Sequence, residues 1–132
     1  DRAARAGKYL KIFELDKAVG DPISSYSHGM KQKIALIGAL IHDPNLFVLD
    51  EPMVGLDPKA SFELKKIMRE MCDRGKSVFF YTHVLDVAEK LCDRIAIINK
   101  GQIIEIGTMD EIRAKVGSKE SLENIFLELT EK

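Results

Sequence analysis

Apolar positions along the chain recur in short blocks with distinct periods, and glycine, proline and acid–glycine pairs separate the blocks. Over Arg2–Val19 the apolar residues Leu10, Ile12, Phe13 and Leu15 fall close to helical spacing, which predicts a helix ending before Gly20-Asp21-Pro22. A polar stretch, Ser24–Gly29, follows, and a second helical pattern runs from about Met30 to His42, ahead of Pro44. Leu46-Phe47-Val48-Leu49 is a continuous apolar run ending in two acids and reads as a buried strand. Pro58 then opens a helix, with Phe62, Leu64, Ile67, Met68 and Met71 as its apolar positions, and Asp73-Arg74-Gly75 closes it. Ser77–Thr82, aromatic and β-branched, predicts another buried strand, followed by a helix over Val84–Cys92. Asn99-Lys100-Gly101-Gln102 joins Ile95–Ile98 to Ile103–Ile106 as a hairpin. Thr108 and Glu111 form a capping box for a further helix, Gly117-Ser118 breaks it, and Leu122–Leu129 is a last amphipathic stretch. Alternation of strands and helices predicts an α/β chain with parallel strands at its centre.

Composition narrows the function. The chain has 132 residues, 45% of them hydrophobic, with 20 Lys+Arg against 21 Asp+Glu. A net charge of −1 gives no electrostatic drive toward nucleic acid or an anionic membrane surface. The run Ile34–Ile41, interrupted only by Gly38, is far short of the roughly 20 residues needed to cross a bilayer. Cys72 and Cys92 are too few and too far apart for a disulfide framework or a metal cluster. The N-terminal Asp-Arg-Ala-Ala-Arg lacks the apolar stretch of a signal peptide.

Candidate chemistry concentrates after the first strand. Asp50 and Glu51 stand together at its carboxyl end, where ligands bind in α/β sheets. Adjacent carboxylates repel unless a cation or hydrogen bonds hold them. Asp50 suits Mg²⁺, which takes one or two carboxylates and keeps its waters, and Glu51 is then placed to polarise a water for attack on a phosphoryl group. A solvated Asp-Glu-Pro turn explains the same string equally well. Ser27 and Gly29 lie at a helix start, where a hydroxyl, a close backbone approach and free N–H groups favour phosphate, although an ordinary N-cap has the same geometry. Asp57 precedes Pro58 and reads as an N-cap. His28 and His42 read as turn and helix-end residues, and Met68 and Met71 as core.

Taken in order, these segments resemble the ATP-binding cassette (ABC) ATPases. Tyr26-Ser27-His28-Gly29-Met30-Lys31-Gln32-Lys33 is similar to the family's signature motif, Leu46–Glu51 to its Walker B strand, Gly55-Leu56-Asp57-Pro58 to its D-loop and His83 to its switch histidine. Lys100–Ile103 and Gly107-Thr108 are similar to the strand pair that follows the switch histidine. The resemblance implies the P-loop ATPase fold, ATP and Mg²⁺ as ligands, Asp50 at the metal, and Glu51 and His83 as catalytic groups. It also implies Ser27, Gly29 and Gln32 on the nucleotide side of the signature, acting on ATP held by a second nucleotide-binding subunit, and Asp57 at the interface between the two subunits. That second subunit would make a homodimer or a heterodimer, docked on a separate transmembrane permease at the inner, cytoplasmic face of the membrane, with no nucleic acid partner. Two other functions stay open: an ABC ATPase outside transport, and a non-catalytic interaction module.

The signature departs from the commonest form, Leu-Ser-Gly-Gly-Gln, with Tyr26 for Leu, His28 for the first Gly and Met30 for Gln; Ser27 and Gly29 are retained. Ser-x-Gly-Met-x-Gln and the tail Ser121–Thr130 resemble the exporter-type (ABC-2) branch. Met53-Val54 stands where small hydroxyl residues are common in the family. No Gly-x-x-x-x-Gly-Lys-Ser/Thr phosphate loop occurs in the chain. In the family that loop precedes the signature, so the expectation is the C-terminal part of a nucleotide-binding domain. Residues 1–43 would be the remainder of the helical subdomain and the signature helix, and residues 44–132 the second half of the catalytic core with the C-terminal helices. This part alone is expected neither to bind ATP tightly nor to hydrolyse it, and to associate through sheet faces near Val48 and Phe79.

Overall fold

The computed structural model describes residues 1–131. They form two compact units, one spanning Asp1–Tyr81 and the other beginning at Thr82.

In the first unit, α1 (Arg2–Ile12) and α2 (His28–Leu40) pack together ahead of β1 (Leu46–Asp50), α3 (Pro58–Asp73) and β2 (Ser77–Tyr81). The strands pair in parallel, Leu46 opposite Ser77 through Asp50 opposite Tyr81, and α3 is the crossover that parallel pairing requires. Its buried stripe holds Leu64, Ile67, Met68 and Met71 as read from the sequence, but Phe62 faces outward, exposed, and Ala60 is buried instead. Gly75, at φ 83°, takes the left-handed turn that ends α3, while the N–H of Lys76 returns to the Met71 carbonyl at 3.0 Å.

Two expectations need correction. The first helix ends at Ile12, not Val19. Glu14 adopts φ 59°, its N–H reaches the Lys11 carbonyl and that of Leu15 reaches Leu10, an αL helix stop built without glycine. Leu15 is thereby turned into the core, 2% exposed, and Asp16–Ala18 forms a short 3₁₀ turn. Nor are the strands buried on both faces. Phe47 is buried, and Leu49, Val78 and Phe80 on the same face are half-buried. Val48 and Phe79, paired on the opposite face, are 61% and 64% exposed, and Leu46 and Tyr81 beside them are exposed too.

The second unit is built from α4 (Leu85–Leu91), the antiparallel hairpin β3 (Ile95–Asn99) and β4 (Gln102–Gly107), α5 (Met109–Val116) and α6 (Leu122–Thr130). Lys100 and Gly101, at φ 51° and 76°, make the two-residue turn with both angles positive that matches strand twist. The register shifts between Ile97 and Ile98, leaving Ile104 as an extra residue that packs on the core of Ala88, Ile95, Ile97, Ile112, Leu122 and Ile125. Thr108 caps α5 by accepting from the Glu111 N–H at 3.1 Å, as the capping box requires.

Candidate functional site

Tyr26 anchors the signature segment. Its ring is buried and its hydroxyl donates to the Ala18 carbonyl at 2.8 Å, fixing the chain just before α2. Ser27 caps α2: its Oγ accepts from the Met30 N–H at 3.2 Å, while the side chain stays exposed. The capped end leaves a hydroxyl proton beside the positive end of a 13-residue helix, an arrangement that attracts phosphate oxygens.

The acidic pair lies at the end of β1. Asp50, exposed, is the last strand residue and sits opposite Tyr81. Glu51 leaves the strand at φ 47°, with its N–H donating to the Tyr81 carbonyl at 2.9 Å. From there the chain folds through two tight turns, Val54 N–H to Glu51 carbonyl and Leu56 N–H to Met53 carbonyl, both 3.2 Å. Pro52 is buried at the base of this segment. Asp57 ends it by capping α3, its Oδ1 accepting from the Ala60 N–H at 2.8 Å. That hydrogen bond, helped by the Lys33 charge, holds the Asp57 carboxyl below the usual aspartate range, against a smaller opposing effect of desolvation.

These two segments are locked together. A Cβ on Gly29 would come within 2.8 Å of the Gly55 carbonyl oxygen, so the backbones touch there and only glycine fits. The His28 ring lies against Gly55 from the other side: a Cβ on Gly55 would fall 2.7 Å from Cδ2 and 3.0 Å from Nε2. One helical turn later, Gln32 Nε2 donates to the Pro52 carbonyl at 3.2 Å, and Lys33 Nζ pairs with Asp57 Oδ2 at 3.4 Å. The fold thus joins the signature helix to the whole stretch between the acidic pair and α3. The motif pattern names both segments but carries no sign of this contact; His28, read from the sequence as a turn residue, is part of it. His83 belongs to the second unit, exposed, one residue after Thr82, whose Oγ accepts from the Val84 N–H at 3.0 Å.

No group of three or more His, Cys, Asp or Glu side chains capable of enclosing a metal occurs among the described residues. Asp50 offers a single exposed carboxylate at a strand end. That suits Mg²⁺, which completes its shell with waters and phosphate oxygens, better than a cation needing an all-protein cage.

Residues 6–85 match the family model described as "AAA domain, putative AbiEii toxin, Type IV TA system", an ATPase-type domain to which that stretch belongs. The chain is 38% identical over 115 residues to the uncharacterised ABC transporter ATP-binding protein YthP of Bacillus subtilis, covering 87% of this chain and 49% of that protein. It is 38% identical over 122 residues to the ABC-type transporter ATP-binding protein EcsA of the same organism, covering 92% and 49%. Among solved structures, an ATP-binding subunit of an ABC transporter superposes with a TM-score of 0.93 at 34% identity, over 97% of this chain and 54% of that one. The chain belongs to the ABC ATPase family. Its α/β architecture is therefore part of a P-loop ATPase domain, and the chain spans about half the length of the curated relatives it matches. A further cassette relative, 39% identical over 98 residues, is the Nod factor export ATP-binding protein I of Rhizobium leguminosarum, with 74% of this chain and 32% of that protein covered. A dimeric ATP-binding cassette bound to ADP and Pi matches with a TM-score of 0.70 at 26% identity, over 80% of this chain and 46% of that one. No helix among the described residues is long and apolar enough to cross a membrane.

Proposed function

We propose that this chain is the part of an ATP-binding subunit carrying the signature and acidic-pair segments, in a protein that couples ATP hydrolysis to export across a membrane. The observation carrying this reading is the packing of the signature turn, Ser27 to Lys33, on the segment that follows the Asp50–Glu51 pair. It makes one body of the segments that would face nucleotide and water. Relatives named for export, such as the Nod factor protein, support the direction of transport.

In this scheme Ser27 and Gly29 present a hydroxyl and the N-terminus of α2 to the γ-phosphate of ATP bound by a second nucleotide-binding subunit, with Gln32 holding that end of α2 on the Pro52 carbonyl. Asp50 holds Mg²⁺, which when bound neutralises charge on the phosphate oxygens. Glu51 orients and polarises the attacking water, and His83 contacts the γ-phosphate and that water. Asp57 stiffens the segment that meets the partner subunit by capping α3 and pairing with Lys33. The assembly is a homo- or heterodimer of such subunits docked on a transmembrane permease at the cytoplasmic face. The phosphate loop is not among these 132 residues, so this stretch by itself neither binds ATP tightly nor turns it over.

The test is Glu51→Gln in the full-length subunit. ATP turnover is expected to vanish while ATP-bound dimers accumulate; retained hydrolysis removes Glu51 from its role.

A further inference from the structure

Four residues on one side of the first turns of α2 grip the segment between Glu51 and α3. His28 and Gly29 enclose Gly55, Gln32 takes the Pro52 carbonyl and Lys33 takes the Asp57 carboxylate. Three of these contacts are polar or backbone packing. The fourth is a flat ring set against the Cα of a glycine whose φ of 82° few other residues adopt. Both partners are exposed, so the contact removes little apolar surface from water and adds little to stability. What it does is exclude alternative paths for the middle of the segment on the side that the Gly29 backbone does not cover.

We propose that His28 is a positioning residue for ATP hydrolysis. Its ring props Gly55 so that the turn running from Glu51 to Asp57 holds one conformation relative to the phosphate-facing end of α2. The role belongs to the shape of the ring and needs no proton transfer. This inference rests on the ATPase reading above. It adds to that reading a residue at the motif position where the commonest family form has glycine and therefore has no ring to supply.

The experiment compares His28→Ala and His28→Phe with the parent full-length subunit in its assembled transporter, reading kcat, KM for ATP and thermal unfolding. His28→Ala is expected to lower kcat about tenfold, as a misplaced reacting group does, with KM changed less than twofold and the unfolding midpoint unmoved. His28→Phe restores the flat contact without a titratable nitrogen and is expected to recover kcat to within about twofold. In parallel, the Gly55 amide resonance is expected to lose its ring-current shift in His28→Ala and keep one in His28→Phe. Parental kcat in His28→Ala, or equal losses in both variants, overturns the positioning role. A loss of kcat that tracks a fall in the unfolding midpoint overturns it as well. A parent that does not hydrolyse ATP overturns the ATPase reading instead, and the Gly55 resonance then reports separately on the contact.

Discussion

Gly29 and Gly55 meet backbone to backbone, so closely that a methyl group on Gly29 would stand 2.8 Å from the Gly55 carbonyl oxygen. The neighbour at fault is a main-chain atom and cannot swing aside. Gly29→Ala is therefore expected to destabilise the protein by about 1–3 kcal/mol, measured as a lower urea midpoint at unchanged slope.

Gly55→Ala meets two separate penalties, a left-handed backbone costing about 1–2 kcal/mol and a collision with the His28 ring. Removing the ring relieves only the second. Gly55→Ala in a His28→Ala background is expected to be less destabilising than Gly55→Ala alone, yet still worse than His28→Ala, and a double-mutant cycle on unfolding free energies reads the difference.

Asp57 supplies a pH signature. Its carboxyl is lowered in the folded protein by the Ala60 N–H and then by Lys33, so on acidification the unfolded chain takes up the proton first. The stabilisation is complete above the ordinary aspartate value of about 4 and is lost as pH falls through the lower folded value. Asp57→Asn keeps a capping oxygen but has no charge to titrate, and its unfolding curve is expected to be flatter in that acid window. Asp57→Ala is expected to cost about 1 kcal/mol at neutral pH as well.

Tyr26 occupies a position where the commonest signature has leucine, and its hydroxyl bridges to the Ala18 carbonyl. Tyr26→Phe keeps the buried ring and loses that bond. A cost of about 1 kcal/mol is expected, by chemical denaturation.

The face of the parallel pair carrying Leu46, Val48, Phe79 and Tyr81 is apolar and exposed. The 132-residue chain is expected to associate through it with rising concentration, and Val48→Lys or Phe79→Lys to shift light scattering toward monomer. Unchanged scattering in both variants would assign the association to another surface.

Local chemistry was legible in the sequence: Ser27, Asp57 and Thr108 each cap the helix their spacing announced, and Gly101 turns the hairpin it was read to turn. Such features depend on a few neighbouring residues. The stop at Ile12 was hidden because Glu14, a good helix former, takes the place glycine usually marks, and Leu15 then turns into the core. Strand burial was overestimated because an apolar run states what could be covered, not what lies over it. The His28–Gly55 contact joins positions 27 apart in sequence, and no periodicity encodes a meeting of that kind.

Glu51 sits at a left-handed corner, a backbone state that suits glycine and strains an acid. Glycine there relaxes the turn, so Glu51→Gly leaves the protein as firm as before or firmer while deleting the carboxylate. Selection for thermal robustness alone would then favour glycine at this corner and erode the site. The acid at this corner thus carries a backbone cost that fold stability by itself does not explain.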